Sequence, residues 1–139
     1  MKRLLEDKRV SEVMQEGVFT ARVDQTWGDA ARRMLQKSIH HLVIVDSDHK
    51  PLGVLSSMDF LGVVMRRDQE FLKKPLSDSR PERKPLTIQE DQHLYEAANL
   101  MDTHHVECLV VLSRAGGVKG VITPKDIMNG MFEDGYQFS

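Results

Sequence analysis

Two short stretches of the chain place a hydroxyl and a carboxylate at the same spacing. Gly53-Val54-Leu55-Ser56-Ser57-Met58-Asp59 returns as Gly120-Val121-Ile122-Thr123-Pro124-Lys125-Asp126. Each copy reads as a buried strand end, a hydroxyl residue, and an Asp three positions later in the first turn of a helix. A helix N-terminus offers unpaired N–H donors and about half a positive charge, a ready seat for a phosphate. The hydroxyl of Ser56 or Thr123 adds a further polar contact beside it. The carboxylate of Asp59 or Asp126 supplies two acceptor oxygens, which suit the two hydroxyls of a ribose. The same residue types also serve plain helix capping, with Ser at the cap and Asp favouring the helix dipole. Capping is the commoner use of one such loop. Repetition leaves both readings open, because a duplicated cap also looks duplicated.

The elements that hold these loops repeat with them. An offset of 67 residues superposes Thr20 on Thr87, Asp24 on Asp91, Gln25 on Gln92, Ala30-Ala31 on Ala97-Ala98, Met34 on Met101 and Leu42-Val43 on Leu109-Val110. No insertion is needed from Thr20 to Asp126, which identifies a tandem duplication. In each copy a short apolar strand (Val18 to Ala21; Leu86 to Ile88) precedes a helical stripe (Trp27, Ala30, Met34; Leu94, Ala97, Met101). A continuous apolar run follows (Leu42 to Val45; Cys108 to Leu112), suited to a strand covered on both faces. A turn, a second strand and a closing helix complete the unit. The plan is strand–helix–strand–strand–helix, twice, an α/β chain of the α+β type. The spacing assigns residues 1–67 to the first repeat with an N-terminal helical segment, 68–84 to a polar, Pro-interrupted linker, and 85–139 to the second repeat. Phe60, Leu61, Val63, Val64 and Met65 leave the first closing helix apolar on most sides, so a partner surface is expected there.

At 139 residues the chain is one domain or two small units, and either repeat alone would be marginal. A net charge of −2 and a pI near 6.3 argue against a nucleic-acid binder, whose footprint is usually basic. A single cysteine excludes an internal disulfide and suits a reducing compartment. No apolar run approaches the roughly 18 residues of a membrane span. The start, Met1-Lys2-Arg3-Leu4-Leu5-Glu6-Asp7, turns acidic too early for a signal peptide. A soluble, cytoplasmic chain is expected.

The ordered set of segments resembles a tandem pair of CBS domains, a Bateman module. It is carried by Val10-Ser11-Glu12-Val13-Met14, Asp24-Gln25-Thr26, Ile39 to Asp46 and Leu52 to Asp59 in the first copy. In the second it is carried by Pro85-Leu86-Thr87-Ile88, Asp91, Ala97-Ala98, Met101, Val106 to Val111 and Gly120 to Asp126. The resemblance implies two pseudo-two-fold related units packed through their sheets, with clefts for adenosine-containing ligands such as AMP, ADP, ATP, S-adenosylmethionine or a dinucleotide. It further implies that the Asp holds the ribose, that the Ser or Thr holds the phosphate, and that apolar strand residues sandwich the base. The first cleft would draw on Asp59, Ser56, Leu55, His40 and His41, with Leu86 and Val106 from the other repeat. The second would draw on Asp126, Thr123, Ile122 and Lys125, with Val18, Phe19 and Ile39 from the first. His41 stands where the family often has Arg, and Glu107-Cys108 replaces the second His-Arg. A Glu near a phosphate repels it, so phosphate binding is expected at the first cleft and an empty or weakly charged site at the second.

The other eye-catching residues read as structure. His40-His41 and His104-His105 lack companions at metal-ligand spacing, and the second pair ends a helix, where a cation suits the dipole. Cys108 reads as a small core thiol. Gly116-Gly117-Val118-Lys119-Gly120 lacks the Gly-Lys-Ser/Thr order of a phosphate loop. No nucleophile–base pair with a third supporting group is evident, so no catalytic residue, catalytic cofactor or metal is assigned. The expectation is a regulatory sensor, a homodimer signalling to an effector protein, with no nucleic-acid or membrane partner. The alternative is a dimerisation or interaction module whose clefts are unused.

Overall fold

The computed structural model describes residues 5–16, 20–78 and 85–132. Among them lie five α-helices and seven strands in two sheets. The chain divides into two compact units, one of residues 19–85 and one joining residues 1–18 to residues 86–139.

The first unit runs β2 (Thr20–Arg22), α2 (Trp27–Lys37), β3 (His41–Val45), β4 (Pro51–Ser56) and α3 (Ser57–Arg66). β2 pairs parallel with β3, and β3 antiparallel with β4. The parallel pair requires a crossover, and α2 supplies it. Leu42, Val43, Ile44 and Val45 are all buried, as a two-sided strand demands. α2 starts in a capping box: Thr26 Oγ1 accepts the Asp29 N–H at 3.0 Å, and Asp29 Oδ2 accepts the Thr26 N–H at 3.1 Å. Those Thr26 bonds hold the Asp29 carboxyl below its usual range. Trp27, Ala30 and Met34 face inward.

The second unit repeats the plan with β5 (Thr87–Gln89), α4 (Leu94–His104), β6 (Leu109–Leu112), β7 (Val118–Ile122) and α5 (Pro124–Phe132). β5 pairs parallel with β6, and β6 antiparallel with β7. The repeat extends to detail. Both crossover helices end on a left-handed residue that is not glycine, Ser38 and His105, 67 positions apart. The strand–helix–strand–strand–helix reading therefore holds in both copies.

The ends of the repeats differ from the sequence-based boundaries. The N-terminal segment, assigned to the first repeat, packs in the second unit. Helix α1 (Val10–Val13) and strand β1 (Gln15–Glu16) precede the first repeat, yet β1 pairs antiparallel with β7. Val10 and Met14 join a core with Leu94, Leu109 and Ile122. The Val10 N–H donates to the Gln92 carbonyl at 2.7 Å, and the Leu94 N–H to the Lys8 carbonyl at 3.0 Å. Residues 68–78, assigned to the linker, close the first unit through 3₁₀ turns at Gln69–Lys73 and Leu76–Asp78. They bury Phe71 and Leu76 with Trp27, and the Trp27 N–H donates to the Lys74 carbonyl at 3.0 Å. The cause is the same at both ends: two apolar side chains in a charged stretch gain more by burial than the segment loses in freedom.

Candidate functional site: the two hydroxyl–aspartate loops

In the first loop Ser56 ends β4 and caps α3. Its Oγ accepts the Asp59 N–H at 3.0 Å, and Asp59 Oδ2 accepts the Ser56 N–H at 3.1 Å. The capping arrangement is thus present in full. It occupies one carboxylate oxygen; Asp59 is exposed, and its Oδ1 takes no hydrogen bond among the described residues. Antiparallel pairing sets His41 opposite Ser56, and the His40 carbonyl accepts the Ser57 N–H at 3.0 Å. His40, His41, Ser56 and Asp59 therefore meet at one end of the sheet. With the Ser57 and Asp59 N–H groups already donated, to the His40 carbonyl and Ser56 Oγ, what the loop offers a ligand is the Ser56 hydroxyl and the exposed Asp59 carboxylate.

Leu55 is fully buried in the first unit's core. With Asp59 it reaches the wall of a pocket of about 360 Å³ that Trp27, Gly62 and Arg66 also line. His40 lines a separate, mostly apolar pocket of about 380 Å³ with Ile39, Leu35, Ser57 and Phe60. Ile39, half-buried, lines this pocket beside His40 and packs against the first unit's core.

The second loop has the same skeleton and different occupancy. Asp126 Oδ2 accepts the Thr123 N–H at 2.9 Å and the Thr123 hydroxyl at 3.0 Å. Pro124 opens α5, where its missing N–H costs nothing. The Gln15 carboxamide, from β1, donates to both Asp126 oxygens, at 3.2 and 3.1 Å. Lys125 is exposed, and Ile122 is buried beneath the loop. Burial pushes the Cys108 thiol up to about 12, and the Asp126 carboxylate adds to that shift. Cys108 is therefore a neutral thiol at physiological pH, and it is half-buried just before the buried strand β6 rather than in the core expected for it. Leu86 and Val106, half-buried, pack against the second unit's core. Val18 and Phe19 lie outside the described residues.

Gln15 escaped the sequence reading because 111 residues separate it from Asp126. One signal was present. A Cβ on Gly120 would lie 2.6 Å from the Gln15 carbonyl oxygen, so this glycine marks the close approach of another strand. Among the described residues no cluster of three or more His, Cys, Asp or Glu is arranged to hold a metal, and no helix is long and apolar enough to cross a membrane.

The duplicated units with their hydroxyl–Asp loops define a tandem α/β module, and comparison with known proteins gives it a family. The family model of the CBS domain matches residues 10–66 and 79–133, so the chain belongs to the CBS domain family. It is 30% identical over 121 residues to a homoserine O-acetyltransferase of Methanohalobium evestigatum, a match spanning 85% of this chain and 23% of that protein. It is 28% identical over 131 residues to a CBS domain-containing protein of Dictyostelium discoideum, spanning 86% of this chain and 88% of that one. The chain thus corresponds to about a quarter of the first relative and most of the second. Among solved structures, it is similar to the CBS domain of a bacterial CNNM/CorC family Mg2+ transporter in complex with ATP. The TM-score is 0.79 at 17% identity, over 94% of this chain and 91% of that one. The CBS domain pair of protein MJ0100 in complex with 5'-methylthioadenosine and S-adenosyl-L-methionine gives a TM-score of 0.77 at 24% identity, over 91% and 98%. These two likenesses concern the fold.

Proposed function

We propose that the chain is a regulatory module that binds an adenosine-containing ligand at its hydroxyl–Asp loops and passes the signal to a partner protein. The observation that carries this reading is the Ser56–Asp59 loop. It sets a hydroxyl and an exposed Asp with an oxygen to spare side by side at a helix N-terminus, with His41 opposite on the neighbouring strand. That set matches a ribose-phosphate group by group. The CBS structures in complex with ATP and with S-adenosyl-L-methionine support the choice of ligand class. AMP, ADP and a dinucleotide share the same ribose-phosphate chemistry. The role is regulatory rather than catalytic, since the enzyme-named relative shares only 23% of its length with this chain. A cytoplasmic setting, which keeps Cys108 a thiol, belongs to the same reading. The signal is a population shift: a ligand favours one state by no more than its difference in affinity for the two.

A second reading rests on α3. Met58, Leu61 and Met65 are 73%, 52% and 77% exposed, an apolar face that suits a second copy of the chain. Sedimentation of wild type against a Leu61→Glu, Met65→Glu variant tests it: a dimer that becomes a monomer supports the homodimer, and a monomeric wild type rules it out. The function itself is tested by titration calorimetry with AMP, ADP, ATP, S-adenosylmethionine and NAD, on wild type, Asp59→Ala and Asp126→Ala. Binding that Asp59→Ala abolishes supports the sensor. No heat with any of the five ligands leaves the interaction module as the better reading.

A further inference from the structure

The two loops repeat in sequence, but their carboxylates hold different things. Asp59 Oδ2 accepts one backbone N–H, and its Oδ1 takes no hydrogen bond among the described residues. Asp126 Oδ2 accepts the Thr123 N–H, the Thr123 hydroxyl and Gln15 Nε2, while Oδ1 accepts Gln15 Nε2 as well. An ionised carboxylate has about four lone-pair sites, so little acceptor capacity is left for a diol.

The sheet explains the difference. In the first unit β4 is an edge strand among the described residues, with β3 as its neighbour. In the second, β7 lies between β6 and β1. β1 sets Gln15 opposite Val121, five residues before Asp126. The pairing is made by backbone atoms, and Gly120 lets it come close. Gln15 is itself exposed, so its side chain is delivered to the carboxylate by the strand rather than by packing. We infer that Gln15 is a built-in competitor at the Asp126 site: its carboxamide takes the place of a ligand's vicinal diol, and a ribose binds there only by displacing it. This rests on the reading of Asp126 as a ribose anchor. It makes the sites unequal in affinity by construction, with Asp59 filling first.

The test titrates adenosine, with AMP in parallel, into wild type, Asp59→Ala, and Asp59→Ala combined with Gln15→Ala. Strand pairing of residue 15 does not use its side chain, so Gln15→Ala is expected to fold. The Asp59→Ala background isolates the second site. There, Gln15→Ala is expected to tighten adenosine binding roughly three- to tenfold, the size of one net hydrogen bond no longer given up. In the Asp59→Ala protein, saturation with adenosine is expected to move the Gln15 side-chain amide resonances in a nitrogen–proton spectrum. Unchanged affinity on removing Gln15 overturns the inference, and weaker affinity makes Gln15 a ligand contact instead. If wild type binds but the second site stays silent even without Gln15, the competitor is refuted and the Asp59 site stands. If wild type binds nothing, the adenosine reading fails first and takes this one with it.

Discussion

Trp27 lies against Phe60 and Phe71, with ring centroids 6.2 and 5.3 Å away, and its buried indole Nε1 has no hydrogen-bond partner among the described residues. A buried donor left unpaired costs about 1–3 kcal/mol. Trp27→Phe removes that donor and keeps an aromatic ring, so it is expected to cost no more than about 1 kcal/mol. Trp27→Ala empties the site and is expected to cost about 3–5 kcal/mol. Urea denaturation followed by circular dichroism checks both; equal losses would mean that the indole N–H has an acceptor after all. Cys108 makes a prediction of opposite character. Its thiol titrates in the fold near 12 against an ordinary 9.0, so the fold favours the neutral form. That contribution is fully present below pH 9.0 and drains away as pH rises toward about 12. The stability advantage of wild type over Cys108→Ala should therefore shrink through that window, and a constant difference across it would refute the burial. The loop residues show how far single positions could be read. Ser56 and Asp59 were legible as a cap or an anchor, and the structure shows the cap complete while one Asp59 oxygen remains available. Gln15 was not legible, because a contact made across 111 residues leaves no local spacing.

At the scale of elements, the helices and strands of each repeat announce themselves through apolar periodicity, but the 3₁₀ turns of residues 68–78 do not. Runs of that kind are too short to show a period, and Asp68, Glu70, Lys73 and Lys74 surround the two residues that matter. Phe71 is 4% exposed and Leu76 wholly buried, and Arg67 lies over the Phe71 ring at 5.1 Å. Phe71→Ala is expected to lose about 3–5 kcal/mol. The chain's one tryptophan, packed on Phe71, reports it directly: its emission should shift to the red and its denaturation midpoint fall. A spectrum and midpoint like wild type would return residues 68–78 to the role of a linker. The apolar surplus of helix α3 is legible in the sequence because it is a matter of composition. None of its residues is buried, while Phe60 and Val63 pack partly on the core.

At the scale of the whole chain, duplication explains why each unit is finished by a segment that lies before a repeat. Residues 68–78 precede the second copy and complete the first, while residues 5–16 precede the first copy and complete the second. The bridges mark the correspondence. Thr26 pairs with Pro75 and His93 with Arg9, and Thr26 and His93 stand 67 positions apart. A repeat cut at its apparent sequence boundary therefore lacks part of its core. The periodic residues define the repeat, and the completing segments carry no period, so the boundaries were the part of the fold that the sequence concealed. Removing residues 1–16 takes Val10 and Met14 from the second core, each worth about 1.5–3 kcal/mol when buried, and strips β1 from β7. It also leaves Val13 absent from Gly130, whose Cβ position lies 2.7 Å from the Val13 side chain. The truncated protein is expected to unfold at a clearly lower urea midpoint by circular dichroism. A midpoint equal to wild type would show that the N-terminal segment is an ornament and not a wall of the second unit. Truncation also removes Gln15, so any adenosine binding that survives at Asp126 should be compared with Gln15→Ala alone, which separates loss of the strand from loss of the competitor.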